Sequence, residues 1–299
     1  MLYHKLKPID SFDTLRTRVE RLLRDSSGQD LSDVQLSLDI ASSCTVEPEI
    51  TGPGANIIDF LDLLADSLPD GDLYLFGGVL RDLALFGKRG FNSDIDLVVD
   101  GNWAGCVPYL DSLGAKRNKF GGYRLTVAGW AADIWSARET WAIKNGYVEF
   151  KGVASLIDTT VLNWDAILMN WRTRQFISEG DYLDTLKQRY LDIVLEKNPN
   201  PLGMAVRVFR HLSLKDARKV SLRAANYLAT STKQYSLETL RHSELNSYGN
   251  TVIEPAVYDL FEGFNTIDIP DAHARWQAAT HEIQRRGIGL TSTQKDMWV

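Results

Sequence analysis

Residues 73–99 read LYLFGGVLRDLALFGKRGFNSDIDLVV. The apolar run Leu73–Phe76 predicts a strand, which Gly77-Gly78 interrupts. Val79–Phe86 has helical spacing with Gly87 as its stop, and Asp94–Val99 predicts a second strand. Strand, glycine turn, helix and strand follow within thirty residues, which predicts a small mixed α/β unit.

Two chemical features sit in this stretch. A glycine pair between a strand and a helix lets the backbone approach a bulky anion, and the helix N-terminus beyond it offers unpaired N–H groups. Such a turn can hold a triphosphate, although a Gly-Gly pair by itself is more often only a turn. Asp94-Ile95-Asp96 places two carboxylates at i and i+2, on one face of a strand, while Ile95, Leu97 and Val99 point to the other. The two carboxylates repel unless a cation sits between them, and magnesium, which prefers oxygen ligands, is the natural candidate. Alone, an Asp-x-Asp is usually an accident of a polar surface. A third carboxylate, Asp133, lies downstream among Ala132, Ile134 and Trp135. An aspartate in an apolar strand is costly unless paired or metal-bound. The two solutions are a metal ion and a nearby arginine such as Arg138.

Working outward, residues 10–25 have helical spacing through Leu15, Val19, Leu22 and Leu23. Residues 28–54 are polar and rich in turn formers and read as a loose connection. Residues 55–67 read as an amphipathic helix closed by Pro69-Asp70-Gly71. Residues 103–113 suit a helix. Residues 122–127 and 131–135 suit two strands joined by Ala128-Gly129-Trp130. From about 180 the pattern is mainly helical, interrupted near Asn198–Pro201, Gly249 and Pro270. The expected fold is α+β, a small mixed-sheet head over 55–190 followed by an all-helical region over 191–299, with 1–54 as an N-terminal helix and connection.

The net charge of −6 argues against a protein that coats nucleic acid non-specifically. Residues 1–70 carry 6 Lys/Arg against 13 Asp/Glu, whereas residues 201–245 carry 8 against 3. The second half could therefore offer a local basic surface to phosphates, or simply a solvated helix face. Cys44 and Cys106 stand far apart without metal-knuckle spacing, so a reducing cytoplasm is the expected setting. No apolar stretch is long enough for a membrane helix, and the N-terminus lacks the apolar core of a signal peptide. Trp164 and Trp171, seven apart, read as core. The 5 histidines show no metal-ligand spacing.

The segment GGVLRDLALFGKRGFNSDIDLVV resembles the head-domain signature of the class II tRNA nucleotidyltransferase and poly(A) polymerase family, within the polymerase-beta-like superfamily. Gly77, Gly78, Arg81, Asp82, Gly87, Lys88, Asp94 and Asp96 carry the match. Asn163–Leu168 looks like the family segment that normally opens with Arg-Arg-Asp and reads the sugar. Here Thr159 and Thr160 stand at the arginine positions and Asp165 at the Asn position. Pro201-Leu202 and Arg207-Val208-Phe209-Arg210 resemble the neck. The base-reading Glu-Asp-x-x-Arg motif has only a fragment, Asp216-Ala217-Arg218. The resemblance covers roughly residues 71–215.

This resemblance implies a polymerase-beta-like head that transfers a nucleoside monophosphate from a nucleoside triphosphate to a hydroxyl, without a template and with two Mg2+ ions. Asp94 and Asp96 would bind both ions, and Asp133 the ion nearest the attacking hydroxyl, accepting its proton. Gly77 and Gly78 would cradle the β and γ phosphates, with Arg81 and Lys88 as phosphate contacts. Asp165, Arg207 and Arg210 would contact the nucleotide. The acceptor expected first is the 3′ end of a tRNA-like RNA. A second expectation is an antiphage-defence enzyme making short oligonucleotides, from deoxynucleotides or from a protein hydroxyl. A third, of another class, is a nucleotide-binding module without catalysis, whose mark would be a missing carboxylate.

Overall fold

A computed structural model of the chain describes residues 8–24, 49–50, 56–68, 70–88, 91, 93–215, 217–265 and 289–291. These fall into two units, one holding the described residues up to 183 except 161–163, the other holding 161–163 and those from 184 onward. In the first unit the elements are α1 (Phe12–Arg24), β1 (Glu49–Ile50), α2 (Ile57–Asp66), β2 (Asp72–Phe76), α3 (Gly78–Phe86), β3 (Ile95–Asp100), α4 (Trp103–Ser112), β4 (Lys116–Arg117), β5 (Tyr123–Val127), β6 (Trp130–Ser136), α5 (Trp141–Lys144), β7 (Ile167–Asn170) and β8 (Phe176–Ser178). The helix expected over 103–113 is α4, and that over 55–67 is α2. The connection expected over 28–54 lies outside the described residues, apart from β1.

The eight strands form one mixed sheet in the order β1-β5-β6-β3-β2-β7-β8, with β4 pairing β5. β3 runs parallel to β6 and β1 to β5; the other pairs are antiparallel. The alternation of β3 explains its place in the sheet. Ile95, Leu97 and Val99 are fully buried on one face, while Asp96 on the other is partly exposed.

Helix α3 is buried on all sides, from Val79 to Phe86, and packs on β2, β3, β7 and α1. Each fully buried leucine here contributes about 1.5–3 kcal/mol relative to exposure. Helix α1 turns Leu15, Val19, Leu22 and Leu23 inward, the spacing its sequence predicts. Its Arg18 donates to the terminal carbonyls of α3, at 2.6 Å to Leu83 O and 3.3 Å to Ala84 O. A cation there also suits the negative end of the helix dipole. On the opposite face of the sheet, Tyr74, Val98, Leu168, Ala137 and Leu156 form a cluster, joined by Phe76, Trp135 and Ile157.

The β5–β6 hairpin departs from expectation in one respect. Its turn is Ala128-Gly129 alone, with φ of 49° and 83°, and Val127 pairs directly with Trp130. Two successive residues at positive φ complete the reversal, so Trp130 enters the strand and buries its ring.

In the second unit follow α6 (Tyr182–Lys187, which begins in the first), β9 (Tyr190–Leu191), α7 (Pro201–Ser213), β10 (Lys219–Ser221), α8 (Leu222–Gln234), α9 (Leu237–Tyr248), α10 (Pro255–Phe264) and β11 (Gly289–Thr291). Asn200 caps α7, accepting from Gly203 N at 3.0 Å, and Pro201 opens it, which accounts for the break near 198–201. Gly249 closes α9 in the left-handed conformation. Helix α7 packs against α8, α9 and α10. Beside the helices lies a parallel sheet, β11-β10-β9, where the sequence predicts helix alone. Strands of 2 or 3 residues are too short to leave a recognisable period. Pro270 and Asp216 lie outside the described residues. Among the described residues no helix is long and apolar enough to cross a membrane.

Candidate active site

The strand registers place one row of residues across the first unit's sheet. Ile177 of β8 pairs with Leu168 of β7, which pairs with Phe76 of β2. Phe76 pairs with Asp96 of β3, and Asp96 with Asp133 of β6. Asp133 pairs with Arg124 of β5, and Arg124 with Lys116 of β4. Directly paired residues share a face, so the row runs from apolar through acidic to basic. Asp94 lies two residues before Asp96, on the same side.

The acidic and basic parts are joined by Arg124. Its guanidinium donates to Asp133 Oδ2 at 2.7 Å and to Asp94 Oδ2 at 3.0 Å. The side chains are partly enclosed, at 12% exposure for Arg124, 20% for Asp94 and 24% for Asp133. The arginine at Asp133 is thus Arg124 and not Arg138, whose guanidinium lies over the Phe150 ring at 4.5 Å.

The glycine turn lies at the same end of the sheet. Strand β2 runs antiparallel to β3, so the residues after Phe76 lie beside those before Asp96. Gly77 has φ 61° and ψ −111°, a conformation that glycine adopts and side-chain-bearing residues avoid. A Cβ on Gly78 would lie 3.2 Å from both Cβ and Oγ of Ser93. The absent side chain therefore lets the turn close on the loop that leads into Asp94. Gly77→Ala should cost about 1–3 kcal/mol of stability through backbone strain. Gly78→Ala should cost less, because only the Ser93 side chain has to give. Denaturant midpoints of the two variants check this order.

Beneath the turn Arg81 is 8% exposed and Asp82 is fully buried. Arg81 Nε donates to Asp82 Oδ1 at 2.8 Å, its Nη1 to Asp165 Oδ1, and its Nη2 to Ser93 Oγ at 3.2 Å. Ser93 Oγ in turn donates to Asp82 Oδ2 at 2.6 Å. Burial alone would lower the pKa of Arg81, but the charges of Asp165 and Asp82 outweigh it and raise it. The same buried surroundings, with Asp165 close by, push the Tyr182 phenol well above its ordinary value. Tyr182 donates to Trp164 O at 2.9 Å, holding the segment that carries Asp165.

Arg81 and Asp165 are thus brought together; Asp94 and Asp133 meet through Arg124, and Asp96 is the register partner of Asp133. Lys88 is half-buried just beyond Gly87, the C-cap of α3. Arg207 and Arg210 belong to the second unit. There Arg210 donates to Glu244 Oε1 at 2.6 Å and to Asn250 at 3.0 Å, and stacks over Tyr248. Glu244, fully buried, also accepts from the backbone of Val252 and Ile253. Trp164 and Trp171 are buried, as their reading as core predicts.

Neither Arg124 nor Ser93 is marked out by local sequence rules. Arg124 meets Asp133 only because the turn has two residues, and Ser93 lies outside any periodic segment.

The acidic group suits a hard divalent ion in its chemistry. It offers oxygens only, it is partly open to solvent, and two of its carboxylates already share one cation. Among the described residues, no three metal-ligating side chains stand ready-converged.

No family profile and no curated protein sequence matches the chain. Solved structures do. The chain is similar to a CCA-adding enzyme in complex with CTP, at 16% identity and a TM-score of 0.47, over 78% of this chain and 68% of that one. It is similar to the Thermotoga maritima CCA-adding enzyme complexed with tRNA, at 16% and 0.48, over 81% and 68%. A tRNA nucleotidyltransferase complexed with a primer tRNA and an incoming ATP analogue matches at 19% and 0.44, over 62% and 54%. The chain spans about half to two thirds of the length of these proteins.

Proposed function

We propose that the chain transfers a nucleoside monophosphate from a nucleoside triphosphate to a hydroxyl group without a template, the acceptor being the 3′ end of an RNA. The observation that carries this reading is the pairing of Asp96 and Asp133 on neighbouring parallel strands, with Asp94 just before β3 joined to Asp133 through Arg124, beside a glycine turn that enters a helix. In the reaction the hydroxyl oxygen attacks the α phosphorus, the bond to the bridging oxygen breaks, and pyrophosphate leaves. Such a displacement demands positioning and charge neutralisation. Magnesium ions bound here would acidify the hydroxyl and neutralise the charge gathering on the leaving group.

Asp94 and Asp96 are assigned to hold the ions, and Asp133 to hold the attacking hydroxyl's ion and accept its proton. The Gly78 N–H at the start of α3 is assigned to the β and γ phosphates, with Lys88 as a further contact; the Gly77 N–H donates to Ile167 O at 2.9 Å and serves the sheet instead. Arg81 and Asp165 brace the turn from beneath. Arg207 keeps its assignment as a nucleotide contact, whereas Arg210, held by buried Glu244, is given no part in the transfer.

A second acceptor or sugar is favoured by one feature. Thr159 and Thr160 bond to carbonyls of their own turn, at 2.7 Å to Leu156 O and 3.0 Å to Ile157 O, and Asp165 is taken up by Arg81. The segment that resembles a sugar reader thus spends its polar groups internally. Selection of deoxynucleotides, or of a protein hydroxyl, becomes the second reading.

The test is incubation of the chain with each labelled ribo- and deoxynucleoside triphosphate, with and without magnesium and tRNA. Products are separated on denaturing gels before and after protease. Magnesium-dependent extension of tRNA is the expected result. Products that form without nucleic acid and change mobility with protease establish the second reading. Absence of incorporation under every condition overturns both.

A further inference from the structure

The guanidinium of Arg124 bridges two of the three carboxylates assigned above to the metal, donating to Oδ2 of Asp94 and to Oδ2 of Asp133. We infer that Arg124 is an internal counter-cation that metal must displace, and that it couples metal binding to triphosphate binding; this rests on the nucleotidyl-transfer reading of the same carboxylates.

The chain of reasons is electrostatic. An arginine cannot give up its charge at any working pH, so it cannot make way by losing a proton. A divalent ion and a guanidinium on the same two oxygens repel. Binding of the ion therefore swings Arg124 away from Asp94 and Asp133. At 12% exposure its surroundings solvate a cation poorly, so displacement is costly unless another anion takes the carboxylates' place.

The row across the sheet shows what kind of anion fits. On the far side of Arg124 stands Lys116, its register partner on β4. On the near side are the carboxylates that would hold the metal. The glycine turn assigned to the β and γ phosphates lies on the other side of the carboxylates, so the phosphate that meets a displaced Arg124, between the metal and Lys116, is the α end of the triphosphate. Metal alone must evict the guanidinium without compensation. Metal with a triphosphate evicts it and supplies its new partner. Each ligand then raises the other's affinity, by reciprocal linkage. Without nucleotide, Arg124 holds the mutually repelling Asp94 and Asp133 together and keeps the site assembled.

The experiment measures Mn2+ binding to the full chain by electron paramagnetic resonance. It is done with and without a triphosphate analogue that cannot be cleaved between its α and β phosphates, corrected for Mn2+ bound by free analogue. Wild type is compared with Arg124→Gln, Arg124→Lys and Asp94→Asn. In wild type the analogue should raise Mn2+ affinity at least about fivefold. Arg124→Gln should bind Mn2+ alone several-fold more tightly than wild type, and the enhancement by the analogue should shrink. A merely structural arginine predicts the opposite, since its loss would loosen the site and weaken Mn2+ binding. Arg124→Lys keeps the charge and loses the two-pronged bridge, so it should shift in the same direction by less. It also serves if Arg124→Gln does not fold. Mn2+ binding no tighter in either variant overturns the role of Arg124 while leaving the metal site intact. Failure of wild type to bind Mn2+ with or without the analogue, or binding unchanged by Asp94→Asn, overturns the metal site itself and the inference with it.

Discussion

Asp94→Asn or Asp96→Asn should lower the rate of nucleotide incorporation by at least about a hundredfold, roughly 2.7 kcal/mol of transition-state stabilisation. Each change removes one negative charge from a group whose proposed task is to hold divalent cations against a triphosphate. Asparagine keeps the size and one oxygen acceptor, so the strand register around Ile95 and Leu97 should persist. Unchanged melting temperatures would show that the loss is chemical. The two positions should differ in a second respect. Asp94 shares Arg124 with Asp133, so Asp94→Asn should also release half of that bridge and shift metal affinity. Incorporation at near wild-type rate in either variant would remove the carboxylates from the reaction.

Arg81→Met should destabilise the first unit by about 3–5 kcal/mol, because it leaves buried carboxylates without their counter-charge. Asp82 has no exposed surface and Asp165 is 7% exposed, so water cannot replace the guanidinium. Part of the loss should return in the triple variant Arg81→Met, Asp82→Asn, Asp165→Asn, which removes the uncompensated charges as well. Denaturant unfolding measures both. A loss under about 1 kcal/mol in the single variant would mean that the pair does not brace the unit. The consequence for the site follows from geometry. Arg81 Nη2 lies 3.7 Å from where a Cβ on Gly78 would be and holds Ser93, so its loss frees both sides of the turn.

Arg81 also shows how a residue can be legible in kind but not in role. Its place in the run Gly-Gly-Val-Leu-Arg-Asp marks it, through the family resemblance, as a phosphate contact. In the structure its guanidinium faces inward, onto Asp82 and Asp165. The partner Asp165 lies 84 positions away, and no local pattern reveals a pairing at that distance. Arg210 is similar. Its neck-like setting suggested a nucleotide contact, and the fold gives its charge to Glu244, 34 positions on.

The β5–β6 hairpin carries the clearest lesson. A connection of three residues, Ala128 to Trp130, would leave Arg124 opposite Ile134. The two-residue turn pairs it with Asp133 instead. Since side chains alternate faces, a slip of one residue would remove Arg124 from the carboxylates altogether. Positive φ at Ala128 decided the matter, and alanine gives no warning of it in a sequence.

By itself the sequence determined what local rules control: the strand–glycine–helix–strand order of 73–99, the buried faces of α1 and β3, the shared side of Asp94 and Asp96, and the ends of α7 and α9. These follow from periodicity, capping and the conformational range of glycine, each of which acts over a few residues. Only the tertiary structure decided that β6 lies parallel beside β3, bringing Asp133 next to Asp96, that Arg124 rather than Arg138 meets that carboxylate, and that Arg81 turns inward. Those outcomes depend on strand pairing and on where a buried charge finds its counter-ion, and both are settled by contacts between residues far apart along the chain.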